Sequence, residues 1–208
     1  MKLSHISFIA TAMLGLATTA TAAELKVASV DVQDLFRSYY KTHAAQKKIN
    51  EQRIKIENET KERQDKLKAL GEELQKIRQQ YNDPTLNDAR RQAISKEFQL
   101  KQNDAMSAEN EYKNFMQRKQ IAFQEMVKRD MSSIITEIEK AVQDKASAEN
   151  FDIVFDSSAV TPSGTHTFVF AKKSLDITPA MKSELNKNAP AGFDPNAPLD
   201  QPAAPAAN

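Results

Sequence analysis

Few residues of this chain are of a type and at a spacing that would do chemistry. Cysteine is absent, which removes a thiol nucleophile, a Cys-ligated zinc site and any disulfide. Beyond the N-terminal stretch two histidines remain, His43 and His166, far apart and with no acid–nucleophile set beside either. Each therefore reads as a surface or strand residue rather than a general base. No phosphate-cradling glycine loop and no dinucleotide fingerprint occurs. The carboxylates lie among Lys and Arg at helical spacing, as in Glu62 with Lys66 and Glu72 with Lys76. Such pairs contribute tenths of a kcal/mol and support a solvated helix. The pattern points away from an enzyme and implies neither cofactor nor metal. Binding is what remains. Met106, Met116 and Phe123 add apolar area off the main apolar stripe, and flexible Met side chains suit a surface that accepts many sequences. Arg90 and Arg91 place adjacent positive charge where an anionic partner would be attracted.

These residues must be held by a long helical hairpin, residues 41–130, folded at Asn82-Asp83-Pro84. On the rising arm Leu67, Leu70, Leu74, Ile77 and Tyr81 recur at steps of three and four, the seam of a coiled coil. The lattice extends back through Ile56 and Ile49, with Arg53, Thr60 and Arg63 as polar interruptions. Polar seam positions reduce stability, so residues 47–66 are expected to bend or fray first. The descending arm repeats the lattice through Ile94, Phe98, Lys101, Ala105, Ala108, Tyr112, Phe115, Lys119, Ala122 and Met126. A fold about Pro84 sets Leu74 against Ile94, Leu70 against Phe98 and Ile56 against Tyr112. At the tip, Thr85-x-x-Asp88 has the form of a capping box.

The ends of the chain form a body. Residues 25–30 alternate as a strand, Asp31 offers an N-cap, and Val32, Leu35, Phe36, Tyr39 and Tyr40 open a helix that runs on into the arm. Below Met126 the apolar stripe widens through Ile134, Ile135, Ile138 and Val142, which means burial on more than one side. That helix ends near Asn150, a residue tolerant of the left-handed cap. Phe151–Phe155 reads as a strand and residues 166–171 as another, the two forming a hairpin across Pro162-Ser163-Gly164. Thr178-Pro179 then opens a short helix to about Lys187, with Met181 and Leu185 on its buried face. The body thus spans residues 23–40 and 131–188, with Val27, Val30, Leu35, Phe36, Ile153 and Phe155 as its core or inter-copy contacts. Three or four short strands leave edges open, so one copy looks incomplete and assembly through the strands is the simplest remedy. The fold class is α+β, mainly α: a long antiparallel helical hairpin on a small β-rich body.

Residues 1–22 read as a secretory signal peptide: Lys2, an apolar run from Ile6 to Ala17, and Ala20-Thr21-Ala22 as the cleavage site. No Cys follows for a lipid anchor. Residues 189–208 hold five Pro and read as a disordered or extended tail. Charge is uneven. Residues 41–130 carry 20 Lys and Arg against 15 Asp and Glu, and residues 131–208 carry 6 against 10. A basic arm on an acidic base attracts anionic partners, and export argues against nucleic acid as one of them.

In order and spacing, residues 24–188 resemble the Skp/OmpH family of periplasmic chaperones. The likeness rests on Lys26-Val27-Ala28-Ser29-Val30-Asp31 with Leu35-Phe36, on Phe151-Asp152-Ile153-Val154-Phe155-Asp156, and on Leu175-Asp176-Ile177-Thr178, set around a charged hairpin. The resemblance implies a homotrimer whose strands build a small barrel-like body, with three hairpins hanging as tentacles around a cavity. It implies ATP-independent holding of unfolded outer-membrane proteins in the periplasm. It also implies contact of basic tentacle residues with lipopolysaccharide or an anionic membrane surface. The alternative is a structural or tethering coiled coil of the cell envelope, which would bind one folded partner instead of many unfolded ones.

Overall fold

The computed structural model describes residues 25–199. The expected signal peptide, residues 1–22, and the last nine residues of the tail lie outside the described residues. Strand β1 (Val27–Val30) leads into helix α1 (Val32–Ser38), helix α2 (Tyr40–Tyr81) and helix α3 (Asp88–Ala148). Strand β2 (Ile153–Asp156), a single 3-10 turn at Lys173–Leu175 and helix α4 (Thr178–Leu185) follow. At about 1.5 Å per residue, the 42 residues of α2 and 61 of α3 reach roughly 60 and 90 Å. The last part of α3 is the root of the returning arm and packs in the body.

β1 and β2 pair in parallel, Val27 beside Ile153 and Val30 beside Asp156. Strand residues alternate faces. Val30 and Val154 therefore point to the side covered by α1, α3 and α4, where Leu35, Tyr39, Ile134, Ile138, Met181 and Leu185 complete the core. Val27, Ile153 and Phe155 fall on the other side. Of the six residues expected in the core or between copies, Val30 and Leu35 are buried and Phe36 packs against them. Val27 and Phe155 are only half-buried, and Ile153 is 39% exposed. Among the described residues one copy covers that second face only in part: Ser29 is buried, Phe168 lies against Phe155, and Ile153 stays open.

The expected strand at residues 166–171 does not form. The chain turns back once, through the Val160–His166 bridge and the Thr167 N–H to Ala159 C=O bond of 2.8 Å, and Phe168 packs its ring 4.7 Å from that of Phe155. Val169 and Phe170 are then left 96% and 82% exposed. With no strand beside them, their backbone has no ladder to join. On the far edge of β1, the Ile177 N–H bonds the Ser29 carbonyl at 2.9 Å, and Asp176 adds a bridge rather than a strand.

Helix ends explain how the body holds together. Asp31 caps α1 as expected, its carboxylate accepting the Asp34 N–H at 2.7 Å. The next two free N–H groups are met from the end of β2: Val32 by Asp156 Oδ1 at 3.2 Å and Gln33 by Ser158 Oγ at 3.1 Å. Thr178 opens α4 as its first helical residue, with Ile177 in the cap position, and its hydroxyl accepts the Asp31 N–H at 2.9 Å. Asn150 ends α3 at φ 55°, with Phe151 N–H bonded to Ala146 C=O and Asn150 N–H to Ser147 C=O. That is the doubly bonded left-handed cap its residue type suggested.

The first helix does not run on into the arm. At Tyr39 the backbone is extended (φ −83°, ψ 128°), and α2 starts anew at Tyr40. Such a break orphans a carbonyl on one side and an N–H on the other. Asn186, just past α4, satisfies both: its Oδ1 accepts the Tyr40 N–H at 2.9 Å and its Nδ2 donates to Ser38 C=O at 3.0 Å. The Tyr39 ring is thereby turned inward, where its hydroxyl donates to Glu137 at 2.8 Å, and Lys41 pairs with the same carboxylate.

The Pro/Ala-rich segment also departs from expectation over its first half. Residues 189–199 fold back on the body: the Phe193 ring lies 6.3 Å from that of Tyr40 and 5.1 Å from that of His43, both edge-on. Gly192 at φ 83° makes the turn that brings Phe193 in. Phe193 docks against α2 and residues 195–199 lie beside Asp34, Arg37 and Ser38 of α1, so a stretch that composition alone reads as structureless is placed on the body.

Asn186→Ala should lower unfolding stability by about 2 kcal/mol, since two backbone groups lose their partner, and urea denaturation checks it. A second expectation concerns pH. Burial and the Glu137 carboxylate push Tyr39 up to about 12. Burial alone would raise Glu137, but hydrogen bonds from Lys41 and Tyr39 hold it below the usual carboxylate range. The cluster's stabilisation should be fully present from the ordinary Glu range up to about pH 10. It should fall at lower pH as Glu137 protonates and at higher pH as Tyr39 ionises. Glu137→Gln should remove the cluster's share of the acid-side loss, leaving a shallower acid limb than the wild type's in a pH series of melting temperatures.

Candidate functional site

The longest surface with binding character among the described residues lies on the arms. Ile49, Ile77, Ile94, Ala108 and Phe115 are buried along the seam, and Leu67, Leu70, Leu74, Phe98 and Tyr112 are half-buried beside them. Two helices facing each other bury only one stripe apiece, so the seam is thin. Its polar members are nonetheless matched. Arg63 lays its guanidinium 3.8 Å from the Phe115 ring centroid and donates to Glu59 C=O at 2.7 Å. Thr60 bonds Ile56 C=O at 2.7 Å and approaches the Met116 sulfur at 3.4 Å. Lys119 pairs with Glu59 at 2.9 Å and Lys101 with Glu73 at 2.8 Å, both across the hairpin. Accordingly Glu59 is held below the ordinary carboxylate range by Lys119, and Lys101 above the ordinary amine range by Glu73. Through residues 47–66, expected to be the weak section, α2 is unbroken; the break stands at Tyr39 instead.

The register of the two arms differs from a fold about Pro84. Arg78, not Leu70, lies over Phe98, with 5.8 Å to the ring centroid. Gln64, not Ile56, reaches Tyr112, at 3.1 Å from its hydroxyl. The offset is about one heptad and it persists to the root, where Lys48 meets Asp130 at 3.0 Å. Its origin is the tip. Residues 82–87 are not helical, and α3 begins beyond the end of α2. There Asp83 accepts the Thr85 N–H and hydroxyl at 2.9 and 2.7 Å, so Thr85 is not the cap. Asn87 caps α3, accepting the Arg90 N–H at 2.8 Å. A seven-residue lattice fits itself equally well after a shift of seven, so periodicity could not choose.

The residues expected to bind do not form one patch. Met116 and Phe123, seven apart, share a shallow cleft of about 180 Å³ with Arg53, Ile56 and Lys119, at one edge of the seam. Met106 stands apart on the outward face, 58% exposed. Arg91 lies over the Tyr81 ring at 5.5 Å, and Arg90 is exposed at the start of α3. A second cleft, of about 390 Å³, opens near the tip between Arg78, Tyr81, Phe98 and Gln102. Sequence reasoning missed it, because it depends on the heptad offset. Both clefts pair an aromatic or thioether with a cation, which suits weak, varied contact rather than one shaped ligand. Among the described residues no group of three His, Asp or Glu is placed to hold a metal ion, and no helix is long and apolar enough to cross a membrane.

A family model described as Outer membrane protein (OmpH-like) matches residues 26–185, from the first strand to the last helix. No curated protein is similar enough to count as a relative.

The Arg63–Phe115 contact should register in a double-mutant cycle. Arg63→Ala and Phe115→Leu should couple by about 1 kcal/mol, whereas Arg53→Ala with Phe115→Leu should be additive. Urea unfolding of the four proteins of each cycle measures it.

Proposed function

This chain belongs to the OmpH-like family, and from that premise we propose that it is an ATP-independent holdase of the periplasm. It works as a homotrimer that receives unfolded outer-membrane proteins between its arms and keeps them from aggregating. The observation that supports this reading best is the unfinished body. One face of the β1–β2 pair carries Val27, Ile153 and Phe155 and is covered only in part, by Phe168 over Phe155; Ile153 stays open there, and Val169 and Phe170 just beyond Phe168 are exposed. Contiguous exposed apolar residues on a soluble protein mark an interaction surface. Copies meeting through these residues would cover the face, supply the strand that residues 166–171 do not form alone, and set the arms side by side. A single arm encloses nothing; several standing together enclose a space.

The mechanism follows from what such a space would be lined with. Basic arms draw an anionic unfolded chain in. The Met116–Phe123 cleft and Met106 offer apolar contacts that are weak singly, and many of them in a shared enclosure raise affinity through effective concentration. No nucleotide is consumed, because release needs only exchange among weak contacts. Arg90 and Arg91 at the tip would meet lipopolysaccharide or an anionic membrane surface.

Sedimentation equilibrium of the mature chain should give three copies per particle. Phe170→Asp should weaken that assembly about tenfold or more, the effect of leaving one large apolar side chain unburied. The wild type should suppress light scattering from a urea-unfolded outer-membrane β-barrel protein at one trimer per client, and Phe170→Asp should not. A stable monomer, or a trimer without effect on scattering, would end this reading. Capture of one folded partner instead would favour a tether.

A further inference from the structure

The outward face of α3 differs from that of α2 in a way a solvated helix does not need. The buried residues Ile94, Ala108 and Phe115 fix the heptad frame of α3. Fifteen residues between Gln92 and Gln124 occupy the positions pointing away from the seam, and every one is exposed. Eight of them are Asn or Gln, two are Lys, and none is Asp or Glu. The carboxylates of this stretch, Glu97, Asp104, Glu109 and Glu111, all fall on the flanks beside the seam. The same outward positions of α2, thirteen exposed residues from Glu51 to Gln79, carry four carboxylates and four Lys. That mixture is what solvation alone produces. The two helices belong to one hairpin, so α2 serves as the internal comparison.

Three further features belong to the same face of α3. Its amides include an unbroken heptad row, Asn103, Asn110, Gln117 and Gln124. Among the described residues none of the eight side-chain amides has a hydrogen-bond partner. Leu100, Met106 and Ile121 stand between them, 66%, 58% and 49% exposed. The charge there comes from Lys96 and Lys113 alone, Lys113 being paired with Glu109 on the flank.

We infer that this outward face of α3 is the surface that receives the client, and that it takes an extended polypeptide of net negative charge by its main chain. The inference rests on the holdase reading and adds to it where and how the client is held. A side-chain amide both donates and accepts, so it can bond a peptide N–H or C=O whatever side chain is attached. An unfolded chain carries both groups at every residue. Amides seven apart stand about 10 Å apart along a helix, and three residues of extended chain span about 10 Å, so a client lying along α3 meets partners in step. The absence of carboxylates removes repulsion toward an acidic chain. The three apolar residues take up client side chains without selecting among them.

The test is Asn103→Glu with Asn110→Glu and Gln117→Glu in the full-length trimer. The matched control is Asn58→Glu with Ala69→Glu and Gln75→Glu on α2. Neither Glu nor Ala opposes helix formation at these sites, and circular dichroism confirms the fold of each variant. Client binding, read as fluorescence of a labelled, urea-unfolded acidic outer-membrane β-barrel protein, should weaken about tenfold in the α3 variant and less than about threefold in the control. Asn103→Ala with Asn110→Ala and Gln117→Ala, which adds no charge, should weaken it about threefold through lost hydrogen bonds. Equal weakening by both charged variants would show only a long-range field and overturn the inference. So would an α3 variant that loses its trimeric mass, since the face would then be covered by a neighbouring arm. Unchanged binding by the α3 variants beside a binding wild type would overturn the inference alone; a wild type that binds no client would remove the holdase reading and this with it.

Discussion

Two helices joined as a hairpin can bury one stripe each and no more. That limit governs this molecule. There is no third helix to widen the arm's core, so the seam is thin and its polar residues must be matched within it. Arg63 over Phe115, Lys119 on Glu59 and Lys101 on Glu73 do this. Each contact is modest, since the partners are partly solvated. Together they let a basic, charge-rich chain keep continuous helices over the length of an arm. Among the described residues no further element packs on the rest of the arm surface, which is why its composition carries information about what lies outside it.

The body meets the same limit in another form. A two-stranded sheet has two faces and two edges, and here the helices cover one face. Val30, Leu35, Ile138 and Met181 are sealed on that side, while Ile153, Val169 and Phe170 remain outside. The body is otherwise tied by hydrogen bonds between segments far apart in sequence. Asp156 and Ser158 meet the start of α1, Thr178 meets Asp31, and Asn186 bridges the break at Tyr39. Each answers a backbone group that a helix end leaves unpaired. The root of the arm is therefore anchored by polar contacts from the C-terminal third, and one amide side chain meets both backbone groups at the break before α2.

From its root in the body the chain extends an arm with one thin seam and exposed outer surfaces. The Met116–Phe123 cleft lies at the edge of the seam and is small. The outward face of α3 is larger, unpartnered and without carboxylates. A protein that must hold many sequences gains from contacts that read the main chain, which all clients share, more than from one deep pocket.

Much of this was legible in the residues. The steps of three and four marked both long helices, Asp31 marked a cap, Asn150 marked a left-handed stop, and the family likeness followed from the order of short motifs around the hairpin. Those signals are local: periodicity, caps and turn chemistry act within a few residues of themselves. What stayed hidden was nonlocal. The heptad offset was invisible because the lattice is indifferent to a shift by its own period, and only the shape of residues 82–87 fixed it. The break at Tyr39 was invisible because its cause, Asn186, lies in a distant segment. The Pro/Ala stretch looked structureless because composition averages over the one ring, Phe193, that docks. The sequence by itself determined which elements exist and which stripe each hides; only the tertiary structure decided their register, their hinges and which apolar face was left open, because those depend on contacts between segments that no local pattern connects.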